Sequence, residues 1–476
     1  MEKIEKILNI PEETQTIEFK RLNGEKVVAK VIQTIVAMAN TDGGTIILGI
    51  DDPEKTKLKK MDRVFGIEEN KELFDEILHE IKRIIPPTGH LLKNEIIKVS
   101  GGKTVGLLSI SKTTESFCSI ENQVWVRLYK SNKKLTPYDI VKLNYAKGFE
   151  KADKELVDID FELLQTDYFN DWRENRKIQK NKIENILFQV GLARKDKNLK
   201  LKPTRAAVLL FAKYPTGLLE TKCAVKIIQL RGTVEKFEEI PNYLRVPKII
   251  GGPIIDVIKN TQEYVLNILE SGIAISSGFV NTYKIPKRAI KEAITNAVIH
   301  RDYHIKRDIE IRIFEDRVEI LSPGLFPYNI TRSNIGYVRA DGERNDLLVK
   351  HLREFPNPPN LNLNEGVRAM RNEMEKRNLY PPIFFTYPMY QDSVKVVFLN
   401  EEQPTEWEKV KAYLKNNKYI NNKVARDVTK VIQVYKMSRM LKKWVEKGLL
   451  IKINTESKNP KDTKYKLSNM DEMVDD

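Results

Sequence analysis

Cysteine is almost missing from this chain. Cys118 and Cys223 are the two among 476 residues, far apart and without CxxC partners. That scarcity argues against a disulfide framework and against a cysteine-based structural zinc site, and makes the reducing cytoplasm the expected setting. Cys223, in the alternating run CAVKIIQL, is expected to be a small core residue. Long apolar runs are also missing: none approaches the ~20 residues that span a bilayer. The opening MEKIEKILNI is interrupted by acids and is not expected to act as a secretory signal.

What is present is charge. Hydrophobic residues make up 41% and charged ones 31%, the balance of a soluble globular chain long enough for roughly two to four domains. Lys and Arg number 81 against 66 Asp and Glu, giving a net charge of +15. A surplus of this size favours polyanions, because cationic side chains displace the counterions condensed on phosphates.

The N-terminal third reads as one α/β domain. EETQTIEFK ends in a short strand with Glu18 and Lys20 on one face and Ile17 and Phe19 on the other. A helical run then meets the turn Thr41-Asp42-Gly43-Gly44, and the apolar strand Thr45 to Ile50 ends on Asp51 and Asp52. Asp52, just before Pro53, is expected to end the strand and start a turn. A helix follows over KELFDEILHEIKRII, stopped by Pro86-Pro87, then strands over 95–99, 105–110 and 124–127, and a helix opened by Thr136-Pro137.

The pattern E-x4-E-F-K, IVAMANTDGG and a strand ending GIDD resembles the Schlafen AlbA-type domain, a divergent AAA family. The resemblance implies a metal-dependent endoribonuclease acting on tRNA or other structured RNA. Glu13, Glu18 and Asp51 would be its catalytic carboxylates and would bind Mg²⁺ or Mn²⁺, whose hard charge suits oxygen ligands and can activate water at a phosphate. Lys20 would contact phosphate. Members that bind nucleic acid without cleaving it keep much of the same pattern.

A second constellation begins at PKRAIKEAITNAVIHRDY. Ala289, Ile290, Ala293, Ile294, Ala297 and Val298 form an apolar stripe, while Glu292 and Asn296 project together from another face. IEIRIFEDRVEILSPG follows as a hairpin. These segments resemble the N-box and hairpin of the GHKL ATPases, closest to the RecG-like transcriptional-regulator branch found behind Schlafen AlbA-type domains. LKPTRAAVLLFAKYP, RNDLLVKHL and NEGVRAMRNEM fall where that branch has its other motifs. The resemblance implies ATP binding through Glu292, Asn296, Ser322, Gly324 and Gly366, with the amide oxygen of Asn296 on the metal. Ser322 stands at the adenine-recognising position, and Phe326 replaces an expected glycine, which puts hydrolysis in doubt. His300 is expected to be a partly exposed structural residue rather than a phosphate or metal contact.

After about Glu401, three helical segments and two strands describe a winged helix-turn-helix, also the usual tail of this branch. Lys430, Lys436, Arg439, Lys442 and Lys443, with Tyr435, crowd its expected recognition helix, and Lys458, Lys461 and Lys464 its wing. Val434, Met437, Leu441 and Trp444 are the expected core stripe.

The sequence therefore implies an α+β multidomain chain: a Schlafen AlbA-like α/β domain over 1–147, a GHKL-type α/β sandwich over 148–400, a winged helix over 401–470 and an acidic tail over 471–476. Two functions stand open. One is the endoribonuclease, gated by ATP and serving anti-phage defence by resemblance; the other is a non-enzymatic, ATP-liganded DNA-binding transcriptional regulator. Either would self-associate as a homodimer or larger assembly.

Overall fold

The computed structural model describes residues 2–219, 221–236, 242–274, 280–359, 366–447, 449–453 and 463–468. It divides into two compact units, Met1–Asn400 and Glu401–Asp476. Among the described residues no helix is long and apolar enough to cross a membrane.

The first unit holds two main sheets. The smaller has four strands in the order Ile17–Lys20, Gly44–Leu48, Thr104–Ile110, Leu92–Lys98; the first pair is parallel and the others antiparallel. The helix Val27–Ala39 connects the parallel pair and buries ten of its thirteen residues. Its exit is tightly constrained. Asn40 is fully buried, donates to the carbonyls of Cys118 and Trp125 at 2.8 and 2.9 Å, and accepts the Cys118 N–H at 2.8 Å. Gly43 follows at φ +74°, where a Cβ would stand 2.5 Å from the Ile110 carbonyl oxygen, so only glycine fits. The expected strand 124–127 is Trp125–Leu128, and it pairs with Ser131–Lys134 as a separate hairpin instead of joining the main sheet.

The larger sheet has six strands, Lys248–Ile250, Val225–Gln229, Ile309–Ile313, Arg317–Pro323, Ser393–Leu399 and Ile383–Phe385 in spatial order. Ile309, Ile311 and Ile313 alternate into its core, answered by Val318 and Ile320 on the return strand. The helices Ile254–Ser271, Lys287–Ile299 and Gly366–Lys376 contribute to the same hydrophobic core. Both cysteines are buried, and burial pushes the Cys118 thiol up to about 12. Neither is therefore a reactive thiolate.

Two buried cations join the sheets' surroundings. Lys112 donates to the carbonyls of Phe326 and Ile330, both at 2.9 Å. Arg344 reaches the carbonyls of Tyr145 at 3.0 Å, Ala146 at 2.6 Å and Leu325.

The second unit consists of the helices Glu406–Asn416, Asn422–Thr429 and Val434–Glu446 and a two-stranded antiparallel sheet, Leu450–Ile453 with Lys464–Leu467. Met437, Leu441 and Trp444 are buried as expected, but Val434 is 57% exposed and Val431 takes its place in the core. The helix begins at Val434, so that residue sits on an uncovered first turn. Lys430 is likewise off this helix: it caps the preceding one at φ +63°. Lys436, Arg439, Lys442 and Lys443 are exposed on the third helix, with Lys442 3.7 Å from Glu446. Lys458, Lys461 and the acidic tail lie outside the described residues.

Candidate functional sites

Two sites emerge in the first unit. The first is a cavity of about 570 Å³ beside the large sheet, bordered by the helices Lys287–Ile299 and Gly366–Lys376. Its polar lining includes Asn296, Ser322 and His300; Ile320, Val394 and Val396 contribute an apolar wall. Gly324 and Gly366 complete the set of four expected nucleotide residues on this lining. The fifth, Glu292, is buried one helical turn before Asn296. Gly366 explains itself by contact: a Cβ there would lie 2.8 Å from Asn296 Nδ2 and 3.5 Å from Glu292 Oε2. The start of one helix thus presses against the side chains of the other, and its first residues Gly366, Val367 and Arg368 line the cavity. Phe326, where a glycine was expected, lines the cavity and meets Phe384 edge-on at 6.1 Å.

Ser322 Oγ donates to the Ala297 carbonyl at 2.8 Å, so its one proton is committed and the oxygen can only accept elsewhere. His300 lines the cavity, with burial first and the Arg344 charge second driving its pKa down to about 4. A neutral imidazole gives a phosphate no countercharge, in keeping with a structural role.

The second site surrounds the first strand. Glu13 and Glu18 are each only 4% exposed. Glu13 Oε1 accepts the Phe19 N–H at 3.0 Å and lies 3.8 Å from Lys20 Nζ, while Glu18 is bound by Lys20 on one oxygen and by buried Arg127 on the other. Burial, then the neighbouring Glu18 charge, raise the Glu13 pKa above the ordinary carboxylate value, against the pull of Lys20.

Asp51 does not join this pair. Its carboxylate faces Arg21 Nη1 at 3.7 Å, and Arg21 in turn pairs with Glu69 and stacks on Phe65. Asp52 is the neighbour instead: Lys55 Nζ stands 2.6 Å from Asp52 Oδ2 and 3.5 Å from Glu13 Oε2. The parity of the strand predicts side-chain direction only as far as Leu48, because Gly49 turns the chain at φ +90°. Arg127, Lys55 and Asp52 are the members that sequence reading missed. Alternation in VWVRL put Arg127 on a strand but gave no sign that the strand would fold back onto Glu18.

As arranged, three carboxylates (Glu13, Glu18, Asp52) share three cations (Lys20, Lys55, Arg127). Among the described residues, no group of three or more His, Cys, Asp or Glu is placed to hold a metal ion. The expected Glu13–Glu18–Asp51 set therefore does not fit a divalent cation in this conformation, since ammonium groups lie on the carboxylates and Asp51 points elsewhere.

Family models match both regions. The "Schlafen, AlbA_2" model covers residues 13–136, starting on Glu13 itself. This segment is a Schlafen AlbA_2 domain. A second model, "Putative ATP-dependent DNA helicase recG C-terminal", covers residues 306–398. Ser322, Gly324 and Gly366 fall inside that match, whereas Glu292 and Asn296 precede it. No curated protein matches the chain. Among solved structures, the DIP2311 protein from Corynebacterium diphtheriae is 17% identical, over 96% of this chain and 80% of that one, with a TM-score of 0.38. The Schlafen AlbA_2 domain thus places Glu13, Glu18 and Arg127 within one matched segment, and the cavity lies largely within the other.

Proposed function

We propose that this chain binds ATP in the cavity beside the large sheet and, as an ATP-liganded protein, binds nucleic acid. The observation that carries the reading is the joint placement of Asn296, Ser322, Gly324 and Gly366 on one 570 Å³ cavity. Asn296 would hold the nucleotide's Mg²⁺ through its amide oxygen, with Glu292 beside it. The N-terminal amides of the helix Gly366–Lys376 would meet phosphate oxygens, where the helix dipole favours negative charge. Ile320, Val394 and Val396 would flank the base, and Ser322 would accept a hydrogen bond from it. Mg²⁺–ATP would supply a compact, multiply charged ligand to this lining, and Phe326 in place of a glycine would favour holding it over turnover. Titration calorimetry with Mg²⁺–ATP tests this: wild type should bind and Gly366→Val should not. No heat from wild type at millimolar nucleotide removes the assignment.

The nucleic-acid part of the reading rests on the Schlafen AlbA_2 domain, the net charge of +15 and the second unit. We read that unit as a winged helix, with Lys436, Arg439, Lys442 and Lys443 on its exposed recognition helix. Footprinting on the protein's own promoter should show a protected site if the protein regulates transcription. Full exposure of that DNA at low salt counts against it.

A second reading, metal-dependent endoribonuclease, is favoured by the buried Glu13–Glu18 pair on Lys20. It requires Lys20 and Lys55 to leave the carboxylates and Asp51 to turn from Arg21 toward them. Total tRNA incubated with Mn²⁺ should be cut by wild type and not by Glu18→Ala; intact tRNA under every metal and nucleotide condition sinks this reading.

A further inference from the structure

Tyr129 occupies a position seldom given to an exposed aromatic. It opens the two-residue turn of the Trp125–Leu128 and Ser131–Lys134 hairpin, has φ +54°, and is 57% exposed. Left-handed backbone costs a residue with a β-carbon about 1–2 kcal/mol, so the turn needs support. Gln15 provides it from the segment before the first strand. Its side-chain oxygen accepts the Tyr129 N–H at 2.7 Å, and its amide donates to the Arg127 carbonyl at 3.0 Å. Gly or Asn would occupy such a turn at less cost. What tyrosine adds is a ring held out in solvent on a braced support.

The charges around the ring are sorted. Lys130, the other turn residue, is taken up by Glu12 and by Glu54 at 2.8 Å. Asp139 is engaged in capping its helix, accepting from Thr136 Oγ1 at 2.9 Å. Lys133, on the return strand opposite Val126, and Lys142, on the helix Pro137–Lys147 whose Leu143 packs in one cluster with Val126, are both exposed. Among the described residues no acid comes within ion-pair distance of either. Tyr138, 75% exposed, begins the same helix. Two aromatic rings and two available ammonium groups on one short stretch match a polymer of alternating π-faces and phosphates.

We propose that this hairpin is a contact surface for single-stranded nucleic acid: Tyr129 stacks on an unpaired base, and Lys133 and Lys142 take flanking phosphates. Duplex offers no free base face, so the ring selects single strands. The strand that presents Tyr129 also carries Arg127, the partner of Glu18, so a nucleic acid lying here runs beside the carboxylate cluster. The inference rests on the reading that the chain binds nucleic acid and adds where, in which form and through which residues.

The test uses the full chain and labelled single-stranded RNA, single-stranded DNA and duplex of about 20 nucleotides, read by fluorescence anisotropy. Tyr129→Asn removes the ring while favouring the left-handed turn, so the hairpin is kept. It should weaken single-strand binding about 5- to 100-fold and leave duplex binding unchanged, while Tyr129→Phe stays within about 2-fold of wild type. Lys133→Ser with Lys142→Ser should reduce the slope of log affinity against log salt by about 1.4. Comparison of the RNA and DNA arms shows which sugar the site prefers. The proposal is overturned if wild type binds and Tyr129→Asn binds single strands equally well. It is also overturned if Tyr129→Asn only dissociates a self-associated form, which would make the tip a contact between copies. Failure of wild type to bind any of the three oligonucleotides removes the nucleic-acid reading itself.

Discussion

His300 and His304, one helical turn apart in sequence, are driven in opposite directions by their surroundings. Burial and then Arg344 hold His300 near 4. Burial alone would lower His304 as well, but hydrogen bonds from its two ring nitrogens to Asp302 at 2.9 Å and Glu155 at 2.7 Å overcome that and raise it. Imidazole NMR at pH 5.5 should therefore find His300 neutral and His304 protonated. Between the ordinary value of 6.5 and about 4 the unfolded chain takes up a proton that folded His300 refuses, so acidification through that window costs stability. For His304 the sign reverses: its contribution is complete below the ordinary value and fades as pH rises through the raised one. His304→Gln should thus lose more melting temperature at pH 5.5 than at pH 9, and an equal loss at both would refute the charged clamp. Gly43→Ala, with φ +74° and the Ile110 oxygen 2.5 Å from the added carbon, should cost about 2 kcal/mol or more in urea unfolding. The glycine pair after Thr41-Asp42 could be read as a turn directly from sequence. Strand alternation could not decide which of Asp51 and Asp52 faces Glu13, because Gly49 resets side-chain parity just before them.

Helices and strands were legible where periodicity was long and punctuated. Thr136-Pro137 and Thr405 mark helix starts, and both threonines form reciprocal capping boxes, with Asp139 and Glu408. Thr405→Ala should lower the stability of the second unit by about 1 kcal/mol, seen as an earlier melt of the Trp407–Trp444 contact by fluorescence. Less legible were elements whose role depends on a distant partner. The clearest case is Lys112, which lies two residues past the end of the strand Thr104–Ile110 and is buried, its pKa pushed well down by desolvation and then by Lys147. It holds the backbone of Phe326 and Ile330, two residues that line the cavity proposed to take nucleotide. Lys112→Met should leave two buried carbonyls unpaired, destabilising the first unit by about 2–4 kcal/mol and weakening ATP binding. A stable variant with normal ATP affinity would show that the lysine does not shape that cavity wall.

At the scale of the whole chain, composition announced a partner class but not its place. The surplus of 15 positive charges is dispersed, with many cations neutralised locally: Arg21 on Glu69, Lys130 on Glu12 and Glu54, Arg317 on Glu319. Nucleic-acid affinity should fall steeply with salt, and replacing Lys436, Arg439 and Lys443 together by Ser should lower the salt slope on duplex DNA by about 2.7, measured by anisotropy. An unchanged slope would mean that this helix does not meet phosphate.

The cations at the junction of the first unit have a consequence for how such chains vary. Lys112 and Arg344 grip carbonyl oxygens, and a carbonyl is offered by every residue type alike. The grip on segments 145–146 and 325–330 therefore depends on their backbone course, while the side chains of Ala146, Leu325, Phe326 and Ile330 are held separately by core packing. Paired substitutions across this seam should be rare even though the contact is tight. A foreign Schlafen AlbA_2 domain grafted before Gly148 should be held as firmly as the native one if its last helix presents two carbonyls to Arg344 and a lysine reaches the place of Lys112.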